Sequence, residues 1–503
     1  MPSWRTISRA AVSGAPVSAL AALLGLWASS CGPLFGGFTT DNSDNCVRNA
    51  ALCEGPASAC NQLTKLCEPA VSLAAVDPPG GSNVGGELVT VTGDRFVPGM
   101  EVRFDGVPAT AIAVTGAQQL TAVTPPRPDR QGPVAVEVVH PGGQRVQQDG
   151  LFRYYAEVAF QQQCFQGPSG VRLLLAADLN GDGRTDLSVA NYTLVRTYLS
   201  SGDGVTFKAP FDLSPGGQLQ SLAAGDTNRD GRMDLVVPTV SATSSVRTAL
   251  GNGDGTFQTP LSTPATSPPY GLILADVNGD RIPDILSQQQ KNLVVQLGQG
   301  DGTFLAEQKT PALIQSASSG AALTAADLDG DGVLDVVAVN PIEQSFGILF
   351  GQPGGFAAPL VTALSGTPVQ AVVSDFNQDG VLDLGLGLAR TSQAVELMQG
   401  LGGRRFGPLP ALRLPVNVRL MAQGDLNGDG VDDLVALDAG SLSNNVFIYL
   451  GVGKARFAAK APLSVPAAAV GAAVGDWDGD GKLDLVTLSN TGDSLCALRN
   501  MAR

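Results

Sequence analysis

The sequence predicts an all-β protein, a seven-bladed β-propeller with an acidic loop in every blade, preceded by a small β-sandwich. Three observations predict it. Between Asp178 and Asp484 the pattern Asp-x-Asn/Asp-x-Asp-x-x-x-Asp occurs seven times with starts 48 to 51 residues apart, the mark of one reiterated supersecondary unit. Each copy sits between two short apolar runs, LLLAAD then DLSVA or LTAAD then DVVAV, which reads as strand, loop, strand. Some 20 residues further on, a glycine turn ends in phenylalanine: GDGVTF at Phe207, GDGTF at Phe257 and Phe304, then the degenerate GQPGGF, GLGGRRF and GVGKARF at Phe356, Phe406 and Phe457. Such turns join antiparallel strands. Four strands in about 50 residues make one blade.

The loops carry the chemistry. Carboxylates at positions 1, 5 and 9 of a nine-residue loop repel one another unless a hard cation sits between them, and an all-oxygen set of this size favours calcium. In the first loop the predicted donors are Asp178, Asn180, Asp182, the carbonyl of Arg184 and Asp186. The same positions hold Asp226, Asn228, Asp230, Arg232 and Asp234 in the second loop, and Asp276, Asn278, Asp280, Ile282 and Asp284 in the third. They hold Asp327, Asp329, Asp331, Val333 and Asp335 in the fourth, and Asp375, Asn377, Asp379, Val381 and Asp383 in the fifth. The sixth and seventh offer Asp425, Asn427, Asp429, Val431, Asp433 and Asp476, Asp478, Asp480, Lys482, Asp484. Up to seven Ca2+ ions follow, one per blade. The third loop has Arg281 where the other six have Gly, so it is the site expected to bind weakly or stay empty. The predicted donor positions of these loops take 23 of the 46 acidic residues, and the formal net charge is −15. The acidity therefore belongs mainly to metal sites, and it gives no support to nucleic-acid binding, which would call for a basic face.

The loop and glycine-turn motifs resemble the FG-GAP/VCBS repeat family, found in the seven-bladed head of integrin alpha subunits and in many bacterial surface proteins. The resemblance covers residues 157–503 and implies a calcium-binding propeller; it is far less specific for activity. The seventh loop is followed by DLVTLSN and SLCALRN but by no further glycine turn, so the last blade lacks a strand. The segment Glu157 to Phe165, EVAFQQQCF, is free to supply it and to cover the exposed edge. Cys164 and Cys496 would then share a sheet, either as a disulfide latch or as two buried thiols. Antiparallel alternation puts the acidic loops and glycine turns at one end of every blade. The irregular stretches TVSATSS, SQQQKN and LSTPATSPPY fall at the other, as a partner surface or as solvated linkers.

Residues 73–155 alternate in short strands between turn signals. VTVTGDRF, the Val102 to Val107 segment, TPP at Thr124 to Pro126 and the Phe152 to Tyr154 closure resemble an IPT/TIG domain, which implies an immunoglobulin-like sandwich acting as a spacer or partner-binding module. Residues 1–30 read as a secretory signal, with Arg5 and Arg9 ahead of an uncharged stretch. Cys31 after small residues resembles a bacterial lipoprotein cleavage box, which implies a lipid anchor at Cys31; ordinary signal cleavage or a retained membrane helix are the alternatives. Residues 31–45 read as a tether. Cys46, Cys53, Cys60 and Cys67, seven residues apart, make 46–70 a small disulfide-rich segment of unknown connectivity, with zinc as the other reading.

The predicted function is that of an exported, surface-anchored calcium-binding propeller serving as a protein-binding or adhesion module. A lectin-like carbohydrate binder is the alternative, and a calcium-dependent polysaccharide lyase or hydrolase the minor one. The residues argue for no enzyme: the single histidine, His140, falls in a predicted turn, and GxSxG, HExxH and the P-loop are absent. The expected partner is a protein or glycan on the rim opposite the calcium loops, with no nucleic acid and a monomeric state. Expected locations are the outer membrane or cell surface, with the periplasm or secretion as alternatives.

Overall fold

The computed structural model describes residues 58–60, 67–312, 323–389, 395–409, 412, 418–438, 444–489 and 493–502. Cys31, Cys46 and Cys53, and with them the anchor and tether, lie outside these residues. Every helix or strand among the described residues is a strand. Ser58–Cys60 pairs antiparallel with Cys67–Pro69, placing Cys60 opposite Cys67 in register.

Residues 72–155 form the sandwich. One sheet orders Ser72–Asp77, Leu88–Asp94, Gln119–Val123 and Thr110–Gly116; the other orders Gly80–Ser82, Arg145–Tyr155, Gly132–Val139, Glu101–Phe104 and Val107–Pro108. Alternate residues of Gly132–Val139 are buried, as a strand with one face on a core demands. Phe104, Phe152 and Tyr154 fill that core edge to face, with Phe152 centred 5.0 Å from Phe104 and 5.1 Å from Tyr154. The Tyr154 hydroxyl donates to the Pro125 carbonyl at 2.8 Å, so the ring is buried without an unmet polar group.

From Phe160 onward the described residues build, besides a two-stranded ladder of Gly351–Gln352 with Gly355–Phe356, seven antiparallel sheets of four or five strands. Their first strands are Leu173–Ala177, Ala223–Gly225, Tyr270–Ala275, Leu323–Ala326, Thr367–Ser374, Val418–Gly424 and Ala469–Gly475. Each of these strands contacts the first strand of the next sheet, and the seventh contacts the first. The ring is therefore closed and propeller-like. Second strands such as Asp186–Ala190, Asp335–Asn340 and Asp484–Ser489 are buried at every position, which explains why the sequence shows continuous apolar runs there instead of alternation.

Closure occurs as the sequence predicts. Phe160–Gln166 pairs with Ser494–Asn500 and becomes the outer strand of the seventh sheet. Cys164 stands opposite Cys496 in that register, with their sulfurs 2.03 Å apart. Phe165 packs its ring 5.5 Å from Tyr198 and 5.3 Å from Phe207, so the same strand also grips the first sheet.

Candidate metal centre

All seven loops fold alike because the same backbone amides meet the same carboxylates. The position-one Asp accepts from the position-six N–H through Oδ2 in every copy, at 2.7–2.9 Å. The position-five carboxylate accepts from the position-seven N–H at 2.7–3.0 Å. In six loops the position-three side chain accepts from the position-five N–H at 2.9–3.2 Å. Such side chains are turned in toward their own loop backbone and keep lone pairs beyond those the amides use. Position six is left-handed throughout, Gly183 at φ 83° for example. So is position four, a requirement the sequence reading missed; Gly181 has φ 73°, while Arg229 and Gln378 adopt 62° and 63°.

Arg281 takes φ 65° and its N–H makes the position-six bond to Asp276 at 2.7 Å, so the third loop keeps the common backbone path despite the missing glycine. A side chain in this region costs roughly 1–2 kcal/mol, against a glycine entropy of about 0.5–1 kcal/mol. Arg281→Gly is accordingly expected to leave stability unchanged or raise it by up to about 1 kcal/mol, read as a shifted denaturant midpoint; a loss beyond 1 kcal/mol would mean that the guanidinium itself supports the loop.

Position nine differs from the sequence expectation that it simply closes the ligand shell. Asp186, Asp234, Asp284, Asp335, Asp383 and Asp433 are 0% exposed and Asp484 is 1% exposed. In each, Oδ1 accepts a backbone N–H from the far end of the third strand, from Ser200 in the first sheet to Asn500 in the seventh, at 2.7–2.9 Å. Oδ2 accepts from the amide at position two, or at position three for Asp383, at 2.8–3.2 Å. The residue therefore ties the acidic loop to the strand end beside it. Burial pushes Asp186 and Asp383 up to about 6, Asp484 to about 7 and Asp433 to about 8, against the lowering by those amides. The other loop carboxylates raise them further.

Three carboxylates bring ligand oxygens within 4.8 Å of one another in two loops, Asp327, Asp329 and Asp335 in the fourth and Asp476, Asp478 and Asp480 in the seventh. Between them these sets use positions 1, 3, 5 and 9. The same two loops carry Asp in place of Asn at position three, and each holds an arginine there: Arg404 Nε lies 2.6 Å from Asp329 and Arg499 Nε 2.5 Å from Asp478. The extra negative charge is thus offset within the protein. Asn377 Oδ1 in the fifth loop and Asp429 Oδ2 in the sixth are buried oxygens without a hydrogen-bond partner. Buried acceptors are costly unless satisfied, and hard oxygen donors of this kind fit a calcium ion.

The FG-GAP-like repeat model matches residues 178–237, 276–338 and 425–487, and the IPT/TIG model matches 72–154. The chain carries FG-GAP-like repeats and an IPT/TIG domain. Six of the seven acidic loops fall inside the matched FG-GAP stretches; the fifth, from Asp375, does not. No curated protein matches the chain. Among solved structures, the chain is similar to BBS1N, crystallised in complex with ARL6DN and soaked with mercury, at 12% identity and a TM-score of 0.50 over 67% of this chain and 96% of that one. An Agrocybe aegerita lectin recognising terminal N-acetylglucosamine aligns at 15% identity and 0.45, over 80% and 100%. A Bacillus licheniformis rhamnogalacturonan lyase aligns at 13% and 0.41, over 85% and 89%. At these identities the first likeness speaks for the fold alone.

Trp477 lies in the seventh FG-GAP loop but is 1% exposed and packs with Tyr198 and Val486, so it offers no face for stacking a sugar. Tyr192, by contrast, is 53% exposed, with the Arg172 guanidinium 4.4 Å from its ring centre.

Proposed function

We propose that this chain is an exported, surface-anchored binding protein whose FG-GAP propeller is stiffened by calcium at its acidic loops and meets a protein partner through the opposite rim. The observation that carries the reading is the sevenfold constellation of inward carboxylates, each anchored by a buried Asp. A ring whose acidic connections are neutralised by bound ions presents the other connections on a stiff frame, as a binding surface requires. Two of those connections, between second and third strands, expose apolar side chains: Tyr192 and Ile342, each 53% exposed. Aromatic and aliphatic anchors of this kind centre many protein interfaces. Binding rather than catalysis is the role assigned, at the cell surface through the segment that begins at Cys31.

The test is photo-crosslinking of the calcium-loaded chain on its parent cells. A crosslinker at residue 192 or 342 should yield one discrete adduct with another protein, lost on Ile342→Asp, while one at residue 254 on the acidic rim should yield none. The same adduct from residue 254 alone, or adducts only with glycan, would overturn the reading.

A further inference from the structure

The sandwich covers the sixth acidic loop and reaches the edge of the fifth. Arg153, on the last strand of the sandwich, donates from Nη1 to the Asp429 carbonyl at 2.6 Å and from Nη2 to Gln378 Oε1 at 2.7 Å. Gln378, from the fifth loop, donates in turn to the Gly430 carbonyl at 3.3 Å. Beneath this clasp the Asp429 side chain is 0% exposed, its Oδ1 lies 3.9 Å from Arg153 Nη1, and its Oδ2 has no hydrogen-bond partner. The corresponding Asp182, Asp331 and Asp480 side chains are 26%, 41% and 29% exposed.

The rest of the joint is built around the same sheet. Arg456 pairs with Asp77, Lys460 lies 2.5 Å from Glu157, and Lys460 Nζ sits 5.2 Å from the Tyr155 ring centre. A Cβ on Gly80 would meet Val452 Cβ at 2.9 Å, so the sandwich backbone rests directly on the sixth glycine turn. Val452 and the Lys454-Ala455-Arg456 stretch make this turn depart from GDGTF.

We propose that the sixth loop is an interdomain cation site, closed by Arg153 and Gln378, which holds its divalent ion occluded while the other loops exchange theirs with solvent. Resting on the calcium reading above, the inference adds that occupancy of this one site and docking of the sandwich are coupled. Asp425, Asp429 and Asp433 supply three negative charges and Arg153 one positive, so a single divalent ion balances the enclosed set. Release of that ion requires the joint to open, and binding of the ion fixes a carboxylate whose backbone carbonyl receives Arg153.

The experiment loads the full chain with radioactive calcium, chases with excess unlabelled calcium and follows the label retained. The expected trace has a fast phase and a slow phase of about one ion per chain. Arg153→Ala should speed the slow phase at least 10-fold without changing the total bound. Gly80→Leu, which wedges the joint at Val452 of the glycine turn and leaves every residue of the acidic loops unchanged, should do the same. A single fast phase in the parent protein, or a slow phase that survives in both folded variants, would overturn the proposal. No retained label at any loop would instead overturn the calcium reading itself.

Discussion

Replacing Asp433 by Ala is expected to cost about 3–5 kcal/mol even with all divalent cations chelated. The carboxylate is fully buried and accepts one backbone N–H on each oxygen, from Gly451 at 2.7 Å and Leu426 at 2.8 Å. Truncation leaves two buried amides unmet, at roughly 1–3 kcal/mol each, and adds a small cavity. Asp433→Asn keeps one acceptor and should lose about half as much. Asp129, whose side chain is 79% exposed, serves as the control, with an expected change within about 0.5 kcal/mol on truncation. Urea unfolding in chelator checks the ranking. Equal and small effects at 433 and 129 would show that position nine acts only through a metal.

The second large effect concerns closure. Cys164 and Cys496 are separated by 332 residues, and cross-links over long loops stabilise chiefly by restricting the unfolded chain, typically by 2–4 kcal/mol. The paired Cys164→Ser and Cys496→Ser change should therefore lower stability by about that amount. It should also remove the effect of reductant on the melting transition of the propeller, which in the parent falls when Cys164–Cys496 is reduced. Removing Phe160–Gln166 altogether should be worse, because it uncovers the edge of Ser494–Asn500 and takes away the Phe165 ring that packs on Tyr198 and Phe207. Aggregation through that edge is the expected result. A monomeric, equally stable deletion variant would contradict the closure argument.

How far the sequence spoke for itself depended on whether a feature repeats. The acidic loops recur every 48 to 51 residues and the glycine turns with nearly the same period, and the structure places them as the period implies. The closing strand was legible because the seventh repeat visibly lacked one. Position nine was identified as acidic but not as a latch, since its partners, such as Ser200 for Asp186, lie in another strand and contribute only a backbone amide. No side-chain pattern records an amide. The docking of the sandwich on the sixth loop was equally hidden. Arg153 reaches Asp429 across 276 positions in a contact made once, and a single non-periodic contact leaves no trace in spacing. In hindsight the clue was the drift of GVGKARF from GDGTF, which reads as decay until Val452 is seen under Gly80. The sequence reading placed the acidic loops and glycine turns on one rim but did not place the sandwich, which occupies part of that rim.

Calcium dependence of the melting temperature, measured at pH 7.5 and pH 5.5, tests the central claim most directly. With several sites each contributing a few kcal/mol at saturating ion, calcium should raise the transition at pH 7.5 by on the order of 10–20 °C over the chelated protein. In chelator, burial holds Asp433 up at about 8 and Asp484 at about 7, above the value of an unfolded carboxylate. The folded state then binds the extra protons, so the stability fully present below about pH 4 is lost progressively as the pH rises through 7 to 8, and the chelated protein should melt higher at pH 5.5 than at pH 7.5. Loaded with calcium the order reverses, since the ion needs the carboxylates ionised. A melting temperature indifferent to calcium at both pH values would contradict the account.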